Sequence, residues 1–241
     1  MDALLTKLPA LHDAVSMAAE AGANRPRPDT AAAYIRSLRR KAGFVQTHYK
    51  FLSIVSWDEQ GGLGRETSDG VVEMAIPMRE ATLTIWHPDA FTDYVYMSFD
   101  GLVAALVNMT DTIGRLVNDQ YGLELPERRA SLRALKDPKY CQPESPIGKI
   151  VHNSMHTEWL VRLADLRGRC QHADIEEVLL HPAGPYSLRG EPFVPKEYDW
   201  ASEPSDMQLV AYCDAAMRQA EQTLVAVIEA VCRSPEYPYK G

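Results

Sequence analysis

Residues 88–122 read PDAFTDYVYMSFDGLVAALVNMTDTIGRLVNDQYG, and the period of this stretch decides the fold. Phe91, Val95, Ser98, Leu102, Ala105, Met109, Ile113 and Leu116 recur at steps of three and four, which places them on one stripe of a helix. Pro88-Asp89 supplies a start, and Gly122 stands where a helix closes in the left-handed conformation. The spacing predicts a helix of about 30 residues, roughly 45 Å long.

Upstream, Leu4, Leu8, Leu11, Val15 and Ala18 mark a first helix that ends at Gly22 and the Asn24-Arg25-Pro26 turn. Pro28, with Asp29 or Thr30 as cap, opens a second, which carries Tyr34, Ile35, Leu38, Val45 and Tyr49 to about Phe51. Between Leu52 and His87 the period changes. Leu52–Trp57, Val71–Ile76 and the alternating Thr82–Trp86 predict a small three-stranded meander. Gly61, Gly62 and Gly64 read as turn residues, because no helix and no Lys-Ser/Thr follows them as a phosphate loop requires.

Downstream, Pro126 predicts a short basic helix through Ala134. Ser145-Pro146 predicts one further helix carrying Ile150, Trp159, Leu160, Leu163 and Leu166. The last helix is expected from near Ser205, burying Met207, Val210, Cys213, Met217, Leu224, Val227, Ile228 and Val231. His181–Trp200 has four prolines and no period; it reads as a cover over a site or partner, or as a surface excursion held by Tyr186, Phe193 and Trp200. The expected fold is mainly α, a helical bundle with a small antiparallel β insert. An N-terminal helical pair (1–51) and the β-meander insert (52–88) precede the bundle (89–241).

With 46% hydrophobic residues in 241, the chain is expected to bury a sizeable core. No apolar run approaches the ~20 residues of a membrane span, and the N-terminus lacks a signal-like basic start and apolar block. A cytoplasmic protein with no membrane partner is expected. Cys141, Cys170, Cys213 and Cys232 are far apart and form no Cys-x-x-Cys pair, so they read as reduced thiols. A net charge of −8 excludes non-specific nucleic-acid binding over the whole surface, so any RNA contact must be local. The basic stretches Arg25–Lys41 and Arg128–Lys139 read first as solvated helix faces.

Two clusters could carry chemistry. The first is Arg167-Gly168-Arg169-Cys170-Gln171-His172, ending the helix predicted from Pro146. An Arg and a His five positions apart on a helix lie some 140° apart around the axis and roughly 7.5 Å along it. A bend or a second subunit is needed to bring both to one phosphate. There Arg would hold the anion and His would exchange a proton, a metal-free arrangement suited to attack of a ribose 2′-hydroxyl on its own phosphate. Asp111 and Asn118, seven apart on the long helix, either support this region or fix helix register through internal hydrogen bonds. The second cluster is His152 and His156, four apart on one helix face, with His48 as a third candidate ligand.

Tyr94-Val95-Tyr96-Met97-Ser98-Phe99-Asp100, continuing through Asn108, Asp111 and Asn118 to Tyr121-Gly122-Leu123, resembles the long second helix of bacterial HEPN-superfamily proteins. The Trp159 helix, its ending Leu166–His172 and the final amphipathic helix extend the resemblance over about 89–233. It implies an up-and-down helical bundle at 89–241, homodimerisation and, in many members, metal-independent endoribonuclease activity in toxin or defence systems. By match to the family's R-x-x-x-x-H motif, Arg167 and His172 take the catalytic positions; Arg169, between them, is expected to act more mildly, in substrate binding. The resemblance further implies an RNA substrate, an antitoxin or other protein partner, and no cofactor; no bound metal is expected, because only His152 and His156 have ligand spacing and no carboxylate or Cys lies in step with them. Gly168 departs from the pattern, which usually has Asn or Asp there. Its loss of a hydrogen-bonding side chain keeps open a non-catalytic bundle that binds a partner or a nucleotide. The histidine cluster resembles the three-histidine site of DinB-like bundles and implies, as an alternative, a metal-dependent enzyme using His48, His152 and His156. Off-stripe Tyr94, Tyr96 and Leu106 on the long helix also point to a dimer through that helix.

Overall fold

The chain is mainly helical in the computed structural model, which describes residues 1–20, 28–54, 64–66, 72–77, 82–85, 88–156, 158–172, 193–194 and 207–233. Helix α1 spans Asp2–Glu20, α2 Pro28–Ile54 and α3 Pro88–Tyr121. Helix α4 spans Pro146–His156, α5 Trp159–His172 and α6 Leu209–Arg233. None of the described helices is long and apolar enough to cross a membrane.

Helix α3 is the axis of the molecule. Leu102, Leu106, Met109, Ile113, Leu116 and Val117 are fully buried, and together they face more than one side of the helix. A helix apolar nearly all round needs neighbours nearly all round. Helix α3 packs on α2, α5, α6 and the 133–136 turn, while α1 closes against α2 and α6. One hydrophobic core runs through the six described helices. Phe99 on α3 meets Tyr212 on α6 with ring centroids 6.1 Å apart. Tyr96 and Leu106, the off-stripe positions expected to meet a second copy, are covered by the chain itself, which removes that motive for a dimer. Tyr94's side chain lies outside the described residues.

Between α2 and α3 lie β1 (Gly64–Glu66), β2 (Val72–Pro77) and β3 (Thr82–Ile85), paired antiparallel in sequence order. Met74 stands opposite Gly64 on one side and Ile85 on the other. The strand expected at Leu52–Trp57 is not formed at its start. Residues 52–54 continue α2, because Leu52 extends the buried stripe of Leu38, Ala42 and Val45. In the 181–200 stretch, otherwise outside the described residues, Phe193–Val194 (β4) pairs with Met207–Gln208 (β5). The last helix therefore starts at Leu209 rather than Ser205.

Two further corrections fall in the region that forms the site. The basic segment after Pro126 is not an α-helix. It makes two 3-10 turns, Glu127–Arg129 and Arg133–Lys136, which are tied to α3 by a bond from Leu132 N to Thr110 O at 3.2 Å. Gly114 permits that approach, since a Cβ there would sit 2.2 Å from the Ser131 carbonyl carbon. The helix predicted from Pro146 is also broken. Glu158 takes φ +57°, left-handed backbone in which an α-helix cannot continue, and a bond from Arg162 N to Glu158 O at 3.0 Å starts α5 afresh. Ser145 caps α4 as expected, its Oγ accepting from Gly148 N at 2.9 Å.

Candidate functional site

Where the 3-10 turns and α5 both lie against α3, they leave a cleft of about 600 Å³, a volume in the range of small-molecule sites. Helix α3 contributes Thr110, Asp111 and Arg115, with Asp111 and Arg115 one turn apart on one face. The turns contribute Arg128, Arg129, Ser131 and Arg133, and α5 contributes Leu160, Ala164, Asp165, Arg167, Gly168 and Arg169. Six arginines from three segments thus face two aspartates, on a chain whose net charge is −8.

Several of these charges are unmatched among the described residues. Arg133 pairs with Asp165 at 3.8 Å. Among the described residues, Arg115, Arg128 and Arg129 make no ion pair and no side-chain hydrogen bond, and the buried Nε of Arg167 has no hydrogen-bond partner. Guanidinium groups brought together without carboxylates repel one another unless an anion sits between them. Burial raises the Asp111 carboxyl above its usual range, against the opposing pull of Arg167, Arg115, Lys41 and Arg133. Lys41 reaches in from α2, with Nζ donating to Asn108 O at 2.9 Å and to Thr112 Oγ1 at 2.5 Å. Burial and the nearby Arg115 lower its pKa, against Asp111.

A second polar group lies along α3. Asp100 faces both Arg167 and His48, and its Oδ1 is buried without a hydrogen-bond partner among the described residues. The His48 ring lies against α3 at Gly101, where a Cβ would come within 2.5 Å of Nε2. Burial lowers the His48 pKa, with Asp100 opposing. Arg167 therefore acts through space on two carboxylates of the same helix, Asp100 and Asp111.

Of the residues singled out in the sequence, Arg167, Arg169 and Asp111 come together in the cleft. His172 is the last residue of α5, with its side chain outside the described residues. Asn118 does not line the cleft; it ties down the turn after α3, Oδ1 accepting from Leu125 N at 2.9 Å. A Cβ at Gly168 would meet nothing within 4 Å, so the position is open towards the cleft rather than sterically required to be glycine. His152 Nε2 is buried without a partner among the described residues, while the His156 side chain lies outside them. Among the described residues no three His, Cys, Asp or Glu side chains gather as a metal site. Arg115, Arg128, Arg129 and Arg133 are site residues that the sequence did not single out; the basic run from Arg128 was the available signal. Comparison with protein-family models, curated proteins and solved structures finds no match to the chain.

Proposed function

We propose that this chain binds RNA through its phosphates in the arginine-lined cleft and cleaves it without a metal, acting in the cytoplasm as a HEPN-like endoribonuclease. The observation that carries this reading is the convergence of six arginines, several unpaired among the described residues, into one cleft of an otherwise acidic chain. Arginine forks suit phosphate oxygens, and a local cationic cleft is the form of RNA contact that a net charge of −8 permits.

Arg167 and its neighbours would neutralise charge on the phosphate as the adjacent 2′-oxygen attacks. The 2′-oxygen–phosphorus bond forms and the bond to the 5′-oxygen breaks. A base takes the 2′-hydroxyl proton and an acid returns one to the leaving 5′-oxygen, leaving a 2′,3′-cyclic phosphate. His172 is the proton-transfer group in this scheme. Because helix geometry sets it about 140° around α5 from Arg167, a homodimer that abuts two α5 ends would supply the histidine from the second copy. Such a dimer would measure about twice 26.9 kDa by light scattering.

The test is binding and cleavage of mixed single-stranded RNA in EDTA. His172→Ala should lower cleavage about 10²- to 10⁴-fold with binding retained. Arg167→Ala should lower both binding and cleavage. Absence of RNA binding by the wild-type chain would refute the proposal. Binding without cleavage would instead support the second reading, a non-catalytic nucleotide- or partner-binding bundle, which the bare Gly168 position favours.

A further inference from the structure

The two aspartates of the cleft are not equivalent. Asp165 is held by Arg133, whereas Asp111, among the described residues, makes no hydrogen bond and no ion pair although Arg167, Arg115, Lys41 and Arg133 all act on it through space. A carboxylate that only balanced the arginines would be expected to close onto one of them in the bidentate fashion that guanidinium favours. Asp111 instead faces open volume with its acceptor sites unused, beside the groups suited to holding a phosphate. An acidic side chain near a phosphate site would repel a bare anion, so its presence makes sense with a ligand that carries a donor next to its phosphate. A ribose 2′-hydroxyl is such a donor, and it is the group that distinguishes RNA from DNA at a single nucleotide.

Resting on the phosphate-binding reading above, we infer that Asp111 is the specificity-determining residue of the cleft: it accepts a hydrogen bond from the 2′-hydroxyl of the nucleotide whose phosphate the arginines hold, and so selects ribonucleotides over deoxyribonucleotides. A deoxyribose leaves the carboxylate unmatched beside the bound phosphate, and a hydrogen bond to a charged group is the kind whose loss is felt most. Asp111 sits on the buried central helix, so its position is set by the core rather than by a loop.

The experiment titrates the purified full chain with the four ribonucleoside 3′-monophosphates and with their 2′-deoxy counterparts, followed by calorimetry. These probes place phosphate and 2′-hydroxyl side by side and contain no phosphodiester to cleave. The wild-type chain should bind the ribose series roughly tenfold more tightly than the deoxy series. Asp111→Ala removes both the acceptor and a negative charge, so deoxy binding should hold or strengthen while the ratio falls towards one. If Asp111 only positions the arginines, the variant weakens both series and leaves the ratio unchanged, which overturns the inference. Equal binding of both series by wild type overturns it while leaving the phosphate-binding reading intact. Failure to bind either series overturns both. Asp111→Asn, which keeps the shape and a weaker acceptor, should retain part of the preference, and a circular dichroism melt establishes that each variant is folded.

Discussion

Asn118 on α3 clasps both backbone groups of Leu125, its Oδ1 accepting from Leu125 N at 2.9 Å and its Nδ2 donating to Leu125 O at 3.4 Å. The clasp closes the turn between α3 and the arginine-bearing segment. Asn118→Ala leaves the buried Leu125 amide without that partner and should lower stability by about 1–3 kcal/mol. Asn118→Asp keeps the acceptor, loses the donor and sets a second charge beside Asp119, so it should be at least as damaging. Urea denaturation is the check, and midpoints equal to wild type for both variants would show that the clasp is dispensable.

Two glycines of the site should respond in opposite ways to the same substitution. Gly114→Ala drives a methyl group into the Ser131–Leu132 backbone and should lower stability by about 1–3 kcal/mol, loosening the cleft wall. Gly168→Ala meets nothing and should raise stability by about 0.5–1 kcal/mol by restricting the unfolded chain and favouring helix. Thermal melts of the pair measure both signs, and a destabilised Gly168→Ala would mean that the space beside Gly168 is not open in the folded chain.

Burial raises the Asp100 carboxyl above its ordinary value of 3.8, against the pull of Arg167 and His48. A carboxyl raised on folding holds its proton more tightly in the folded than in the unfolded chain. Its stabilising share is fully present below the unfolded value and is lost as pH climbs through the raised folded one. At neutral pH the charged form is therefore a burden. Asp100→Asn should be more stable than wild type at pH 7, and that advantage should disappear as pH falls towards 4. Urea midpoints at both pH values decide the matter; an advantage that grows on acidification would contradict the assignment.

The thiols should separate by accessibility. Burial, with Asp100 adding to it, pushes Cys170 up to about 12, and burial raises the fully enclosed Cys213 further. Cys141 is buried and Cys232 half-buried. Iodoacetamide at pH 7.5 should modify Cys232 first and the other three only on unfolding, as read by mass spectrometry of the intact chain. Rapid labelling of Cys170 in the folded state would show that α5 opens readily.

The helices were legible because each carries a stripe at helical spacing, as Leu4–Ala18 and Leu102–Leu116 do, and because Pro88 and Ser145-Pro146 mark starts. The break between α4 and α5 was not, since Glu158 adopts left-handed backbone with neither glycine nor proline to announce it. The turns at 127–136 looked helical by composition, but docking onto Gly114 dictates their shape, and that contact joins residues distant in sequence. Arg167 was visible through a motif, Arg169 through its place inside it, and Asp111 through its seven-residue spacing to Asn118. Arg133 lay in a basic run that read as a solvated face, and Arg115 becomes a site residue through packing alone, which no spacing rule records.

The confinement of the arginines has a kinetic consequence. A polyanion approaching this chain from afar meets a net charge of −8, while the attractive field of the cleft is felt within about a Debye length, ~10 Å at 0.1 M salt. Added salt should therefore relax the long-range repulsion and weaken the final contacts at once. Association would change little, or even quicken, as ionic strength rises, and dissociation would accelerate, so the salt dependence of affinity would reside in how long a ligand stays rather than in how often it arrives.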